Sequence, residues 1–223
     1  MTEPRQARAE VTRRRILDAA VDLFAGAGYG ETGLAEIVKQ AEVTKGAFYY
    51  HFASKEAVAT AIIEDSQSKI VEAANRAASG SAAGLESVIA KTFGIARLVQ
   101  TDRSIRIGKE LARSLTQVSD AGRNAFQVWT ADFIGEVQKA GAQGELLDDV
   151  DPDEVGEAIW VAVLGTDLLS NALADDYSTR LAEVWRVLLR GVVPAESIGY
   201  FQEFVKRAAM RPAHGHPDAA RAQ

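Results

Sequence analysis

From residue 16 onward the apolar side chains return every three or four positions. Ile16, Leu17, Ala20, Leu23 and Phe24 share one face of a helix, and the spacing recurs along most of the chain. A period near 3.6 buries one stripe of a helix, whereas a strand needs a period of two to fill one face. No alternating stretch competes, so the spacing predicts an all-α fold. The first helix is expected to stop near Gly26. A short second one follows with Leu34, Ile37, Val38 and Ala41 apolar, then a break at Glu42 and Val43. Thr44 is placed to cap a third helix and Ser54 a fourth, because each hydroxyl accepts a hydrogen bond from an amide two or three residues on.

Residues 79–84, Ser-Gly-Ser-Ala-Ala-Gly, are small and flexible and read as the connection to a larger helical part. Beyond them five or six helices are expected: near 85–100, 103–117 and 121–142, then from Asp151-Pro152-Asp153-Glu154 to about Ala174. That tetrapeptide has Asp as cap, Pro at the first helical position and Glu three residues after the cap. Another helix is expected from Ser178 to Arg190, with Gly191 and Pro194 separating it from a last one that ends before Pro212. The domain reading is therefore 1–54, 55–211 and a tail over 212–223 that is too poor in large side chains to pack.

Composition narrows the function. With 47% hydrophobic and 25% charged residues, 223 residues suffice for two packed domains. The absence of cysteine rules out disulfides and thiolate metal sites, and points to the cytoplasm. The early arginines lack a following apolar leader segment, and no run approaches the length of a membrane span, so no membrane partner is expected. A net charge of −6 disfavours a polyanion partner overall. Its distribution does not, since residues 1–55 carry eight Lys and Arg against seven Asp and Glu, and the remainder 17 against 24. His51, His214 and His216 make no metal set, and Asp148, Asp149, Asp151, Asp153 and Glu154 crowd a loop and helix start. The Gly28, Gly30, Gly33 spacing matches a dinucleotide fingerprint but follows a helix rather than a strand. No nucleophile is set beside a base, so neither an enzyme nor a cofactor is expected.

Residues 34–52 place a short helix, a tight break and a second short helix in series, the layout in which the second enters a DNA major groove. Phe48 and Phe52, four apart, are expected to pack inward against Leu34 and Ile37. Thr44, Lys45, Gly46, Ala47, Tyr49 and His51 are then left for a duplex. Lys45 has donors for guanine acceptors, Ala47 a methyl for thymine, Gly46 allows close approach, and Tyr49 and His51 reach phosphate oxygens. Arg13 and Arg14, within the run to Arg15, and Lys55 near the head of the fourth helix, add positive charge for the backbone.

At these residues the chain resembles the TetR family of repressors. The matching stretch runs from Arg13 to Glu56 and includes Ile16-Leu17-Asp18-Ala19-Ala20, Gly28-Tyr29, Glu36-Ile37, Val43-Thr44-Lys45-Gly46-Ala47-Phe48-Tyr49-Tyr50-His51-Phe52 and Ser54-Lys55-Glu56. The resemblance implies a homodimer with an N-terminal three-helix helix-turn-helix domain and a C-terminal helical ligand-binding and dimerisation domain. The implied partners are double-stranded operator DNA and a small apolar effector, and the implied place is the nucleoid when bound to operator. Where the family often has Ser or Thr at the head of the second helix this chain has Gly33, and Thr32 is the nearest hydroxyl to replace it.

Trp185-Arg186-Val187-Leu188-Leu189-Arg190-Gly191-Val192-Val193-Pro194 and Thr92-Phe93-Gly94-Ile95-Ala96-Arg97-Leu98 are similar to the γ-butyrolactone receptor branch. That likeness implies an effector pocket under the indole of Trp129 with the hydroxyl of Thr166 near it, and Gln67 as a further polar candidate. From the residues alone, Trp129 is ordinary core and Thr166 bonds to a carbonyl one turn back. The family resemblance also implies that the helix over Ala158 to Leu169 and the Leu181, Val184, Val187, Leu188 stripe pair with a second copy. Two alternatives stay open: a repressor answering another hydrophobic ligand such as a drug, fatty acyl thioester or aromatic metabolite, and a helical ligand carrier without DNA binding.

Overall fold

The computed structural model describes residues 3–82, 84–116 and 120–211, so the expectation for the 212–223 tail lies outside the described residues. Among the described residues every regular element is an α-helix. They are α1 (Glu3–Ala27), α2 (Leu34–Gln40), α3 (Lys45–His51), α4 (Lys55–Ala78) and α5 (Leu85–Thr101), then α6 (Arg103–Ser114), α7 (Asp120–Ala142), α8 (Pro152–Leu173), α9 (Tyr177–Val192) and α10 (Ala195–Met210).

Local chemistry sets most of the starts. Thr44 Oγ1 accepts from Ala47 N at 3.1 Å, Ser54 Oγ from Ala57 N at 3.1 Å, and Asp151 Oδ1 from Asp153 N at 2.8 Å, as their positions predict. Asp102 and Asp176 cap α6 and α9 in the same way. Gly28, at φ 86°, supplies the left-handed residue after α1, and Ala174, at φ 54°, ends α8 without a glycine. Gly191 does not separate two helices as expected. It lies inside α9, which runs on to Val192 before Pro194 stops it. Buried Trp185, Leu189 and Val193 hold that turn in place, and packing outweighs the ~1 kcal/mol helix penalty of one glycine.

The chain forms two compact units. The first comprises Met1–Lys69 and Asp102–Phe126, the second Ile70–Thr101 and Gln127–Gln223, so α4 and α7 each contribute to both. The expected boundary after residue 54 lies at the head of α4, whereas the two units divide within that helix, between Lys69 and Ile70. The first unit extends further because α6 shares its core: Ile107 and Leu111 pack in one cluster with Ile16, Phe24, Ile37, Phe48, Phe52, Val58, Ile62 and Ile63. Arg103 is also paired with Asp22 of α1 at 2.6 Å. At Gly108 the two helices touch: a Cβ there would lie 2.4 Å from Ser66 Cβ and 3.2 Å from Ile62 O, so only hydrogen fits.

The second unit is built around α5, which is buried along most of its length. Leu85, Ile89 and Phe93 share its core with Phe133 and Val137 of α7, Ile159 and Val163 of α8, Leu181, Trp185 and Leu189 of α9, and Phe201 and Val205 of α10. No helix among the described residues is long and apolar enough to cross a membrane.

Candidate functional site

In the first unit α3 is fixed from one side only. Phe48 is fully buried, with Phe52 4 residues on and rings 6.2 Å apart, and both belong to the cluster that includes Ile37, with Leu34 packed against it. The other flank faces solvent: Thr44, Lys45 and Gly46 are exposed, Ala47 and His51 half-buried, and Tyr49 and Tyr50 56% and 74% exposed. The turn between α2 and α3 is made by Glu42 at φ 53°, left-handed for a residue with a Cβ, which costs roughly 1–2 kcal/mol. That bend allows α3 to leave α2 within four residues and still seat Phe48.

Two residues expected at the phosphates have structural partners instead. Thr32 is only 2% exposed and donates its hydroxyl to Gly28 O at 2.8 Å, so it does not replace the hydroxyl missing at Gly33. The head of α2 is sealed by Glu36, whose carboxylate accepts from Gly33 N at 2.7 Å. Lys55 is half-buried and donates to Tyr29 O and Thr32 O, both at 2.8 Å, tying down the segment before α2. Burial first and Glu56 second push the Tyr29 phenol above its ordinary value. Arg13 is half-buried over the Phe52 ring, 5.4 Å from its centroid, and Arg14 is exposed and paired with Asp18 at 3.3 Å. Local pattern gives no sign of these tertiary uses of Thr32 and Lys55.

In the second unit Trp129 of α7 is 6% exposed and meets Trp160 of α8 edge to face at 5.5 Å. Phe133, one turn along α7, stacks on the other part of that contact, 5.1 Å from Trp160 at 20°. Sequence reasoning singled out Trp129 and missed Trp160 and Phe133; the four-residue spacing of Trp129 and Phe133 was the available signal. Thr166 is buried and donates to Ala162 O at 2.6 Å, the back-bond that its helical position alone predicts, which leaves its oxygen able only to accept. Gln67 is half-buried on the part of α4 that belongs to the first unit, and Trp129 and Thr166 belong to the second.

Polar groups that the sequence did not reveal line the same core. Lys91 of α5 is 4% exposed, 3.0 Å from Asp132 and 3.3 Å from Glu136 of α7. Burial alone would raise the Glu136 carboxyl, but the hydrogen bond from Lys139, the charge of Lys91 and the Ser87 hydroxyl together hold it below its ordinary value. Thr92 accepts from Trp185 Nε1 at 3.0 Å and donates to Ile89 O at 2.7 Å. Buried Tyr177 gives its hydroxyl to Val163 O at 3.3 Å, and burial, reinforced by Asp167, pushes that phenol far up. Among the described residues no three His, Asp or Glu side chains converge as a metal set.

Two family models match, and together they cover both parts of the chain. "Bacterial regulatory proteins, tetR family" matches residues 16–62, and "Tetracyclin repressor-like, C-terminal domain" matches residues 82–194. The A-factor receptor protein of Streptomyces griseus is 32% identical over 190 residues, 84% of this chain; the match spans 66% of that receptor's length. A solved γ-butyrolactone receptor, described as ArpA-like, is similar at a TM-score of 0.76 and 35% identity, covering 91% of this chain and 98% of that one. The TetR family protein CprB from Streptomyces coelicolor, solved in complex with its biological operator sequence, also gives 0.76 and 35%, covering 92% and 100%.

Proposed function

Because the chain belongs to the tetR family of bacterial regulatory proteins, we propose that it is a ligand-responsive repressor that grips a pseudo-palindromic operator as a homodimer and is released by a small apolar effector of the γ-butyrolactone type. The observation that carries this reading is the one-sided seating of α3. Phe48 is locked in the core while Lys45, Gly46 and Tyr49 are offered to solvent, as a helix must be that enters a major groove. Lys45 reads base edges, Ala47 meets a thymine methyl, and Thr44, Tyr49, His51, Arg13 and Arg14 hold phosphates. Two such helices meet successive major grooves when about 34–36 Å apart.

The dimer reading rests on Val161, Leu168, Leu169 and Leu173 of α8 and Val187 of α9, large apolar side chains left at the surface. Such a band is costly in water unless a second copy covers it. The effector reading rests on the Trp129, Phe133 and Trp160 group, an apolar aromatic wall with the Thr166 oxygen on the helix that carries Trp160. Effector and operator then oppose each other reciprocally, as linkage requires. The protein works in the cytoplasm, on the nucleoid.

The test is fluorescence anisotropy with duplex DNA from upstream of the chain's own coding region, at several salt concentrations. A steep fall of affinity with salt, and release on adding a γ-butyrolactone, are expected. Affinity no better than for random duplex would sink the repressor reading, and DNA binding that ignores the lactone would leave a repressor for another hydrophobic ligand. In Trp129→Phe, operator affinity should persist while the response to effector weakens.

A further inference from the structure

A concave site whose lining includes none of the aromatic group lies in the second unit. It is a cleft of about 420 Å³ between the last turns of α4, the C-terminal half of α5 and the residue that follows α10. Three arginines line it, Arg76, Arg97 and Arg211, and no carboxylate does. In a chain of net charge −6, a cavity with no acid among its walls is a local inversion of the protein's charge, carried by Arg97 and Arg211 because Arg76 is paired with Glu72. Its floor is small and apolar: Ala73, Ala77 and Leu98, with α4 and α5 so close at Gly94 that a Cβ there would lie 2.5 Å from Ala77 Cβ.

The guanidiniums are held, but not neutralised, by backbone. Arg97 Nη1 donates to Ala208 O at 3.0 Å, in the last turn of α10, and Arg211 Nη1 reaches Ala77 O at 3.5 Å, in the last turn of α4. Helix carboxyl ends attract cations, so these contacts explain why the two side chains point where they do. Each guanidinium carries five N–H donors in a planar fork, and one of the five is given to a carbonyl in each case. Arg76 is paired with Glu72 on the exposed side of α4. Burial first, and the charge of Arg211 second, hold half-buried Arg97 below its ordinary value.

We propose that this cleft binds a small dianionic metabolite, a phosphate monoester or a dicarboxylate, with an oxyanion group between the forks of Arg97 and Arg211 and its short organic body on Ala73, Ala77 and Leu98. An anion there relieves the repulsion between like charges and takes the paired N–H donors that planar guanidinium presents to carboxylate and phosphate. The volume falls within the roughly 300–1,000 Å³ usual for small-ligand sites. This site is separate from the proposed effector pocket and holds whether or not the chain answers a lactone.

The experiment is isothermal titration of the full chain with inorganic phosphate and, separately, with succinate, at fixed ionic strength in chloride, repeated on Arg97→Gln, Arg211→Gln and the exposed control Arg207→Gln. Saturable binding of at least one probe is expected, weakened about 10-fold or more in the first two variants and unchanged in the control. Phosphate alone binding identifies the phosphate class, and succinate alone the dicarboxylate class. Arg211→Gln carries the test if Arg97→Gln fails to fold, since Arg211 lies exposed beyond the end of α10 and its hydrogen bond to Ala77 O is long. Heats that never saturate, or binding equally strong in Arg211→Gln, would overturn the proposal.

Discussion

The ammonium of Lys55 sits 4.3 Å from the centre of the Tyr29 ring and 2.8 Å from the Tyr29 carbonyl oxygen, so one lysine at the head of α4 clamps the segment that leads into α2. Its second bond, to Thr32 O, fixes the other end of that segment.

Lys55→Ala should therefore lower the stability of the chain by about 1–3 kcal/mol, the range for losing charged hydrogen bonds of a half-buried group. Urea unfolding measures it. Unaltered stability together with lost operator affinity would mean that Lys55 serves phosphate after all.

Lys45→Ala should leave the unfolding midpoint within about 0.5 kcal/mol, because the side chain is exposed. It should cost about 1–3 kcal/mol of operator binding and relax preference at one base pair. Binding selections with randomised half-sites would show whether that preference has gone.

Gly108→Ala should destabilise by about 1–3 kcal/mol, although alanine favours helix over glycine by ~1 kcal/mol, because the new methyl would lie 2.4 Å from Ser66 Cβ. Adding Ser66→Gly should restore part of the loss. If the double variant is no better than the single one, the two helices are not in the contact described.

Glu136 is held below its ordinary 4.5, so the stability it contributes is complete above that pH and disappears as pH falls through its lower folded value. In Glu136→Gln the chain should lose about 1–3 kcal/mol at pH 7, less than a fully broken buried pair because Asp132 still faces Lys91, and its stability should vary less between pH 5 and 3. Thermal melts across that range check the slope; parallel curves for both proteins would refute it.

Leu168→Glu, placed on the exposed apolar face of α8, should yield a monomer by light scattering and reduce operator affinity, with helical content intact. A variant that remains dimeric would move the proposed interface elsewhere.

What was legible in the sequence is what acts over one or two turns. Thr44, Ser54 and Asp151 are caps because a side-chain oxygen two or three bonds from Cα reaches an amide two or three residues on, and the Phe48–Phe52 spacing already fixes which flank of α3 is buried. The all-helical fold and the helix-turn-helix layout follow from the same short-range periodicity. What was not legible depends on partners far away in the chain: Thr92 with Trp185 at 93 residues, Lys91 with Asp132 at 41, Lys55 with Thr32 at 23. Thr32 and Lys55 looked like phosphate ligands because polar residues beside a reading helix do not disclose whether tertiary structure has claimed them. Trp160 escaped for the opposite reason, as one apolar residue among many in a helix that is apolar on several sides.

Glu36 closes the amino end of α2 with a carboxylate from the same helix. In the proposed complex a sugar-phosphate chain drawing near that end encounters a negative group where helix amino ends commonly offer bare dipoles, so each half of an operator loses one phosphate contact. Indiscriminate attraction to any duplex shrinks with it, and a larger share of the total grip rests on which bases lie beneath α3.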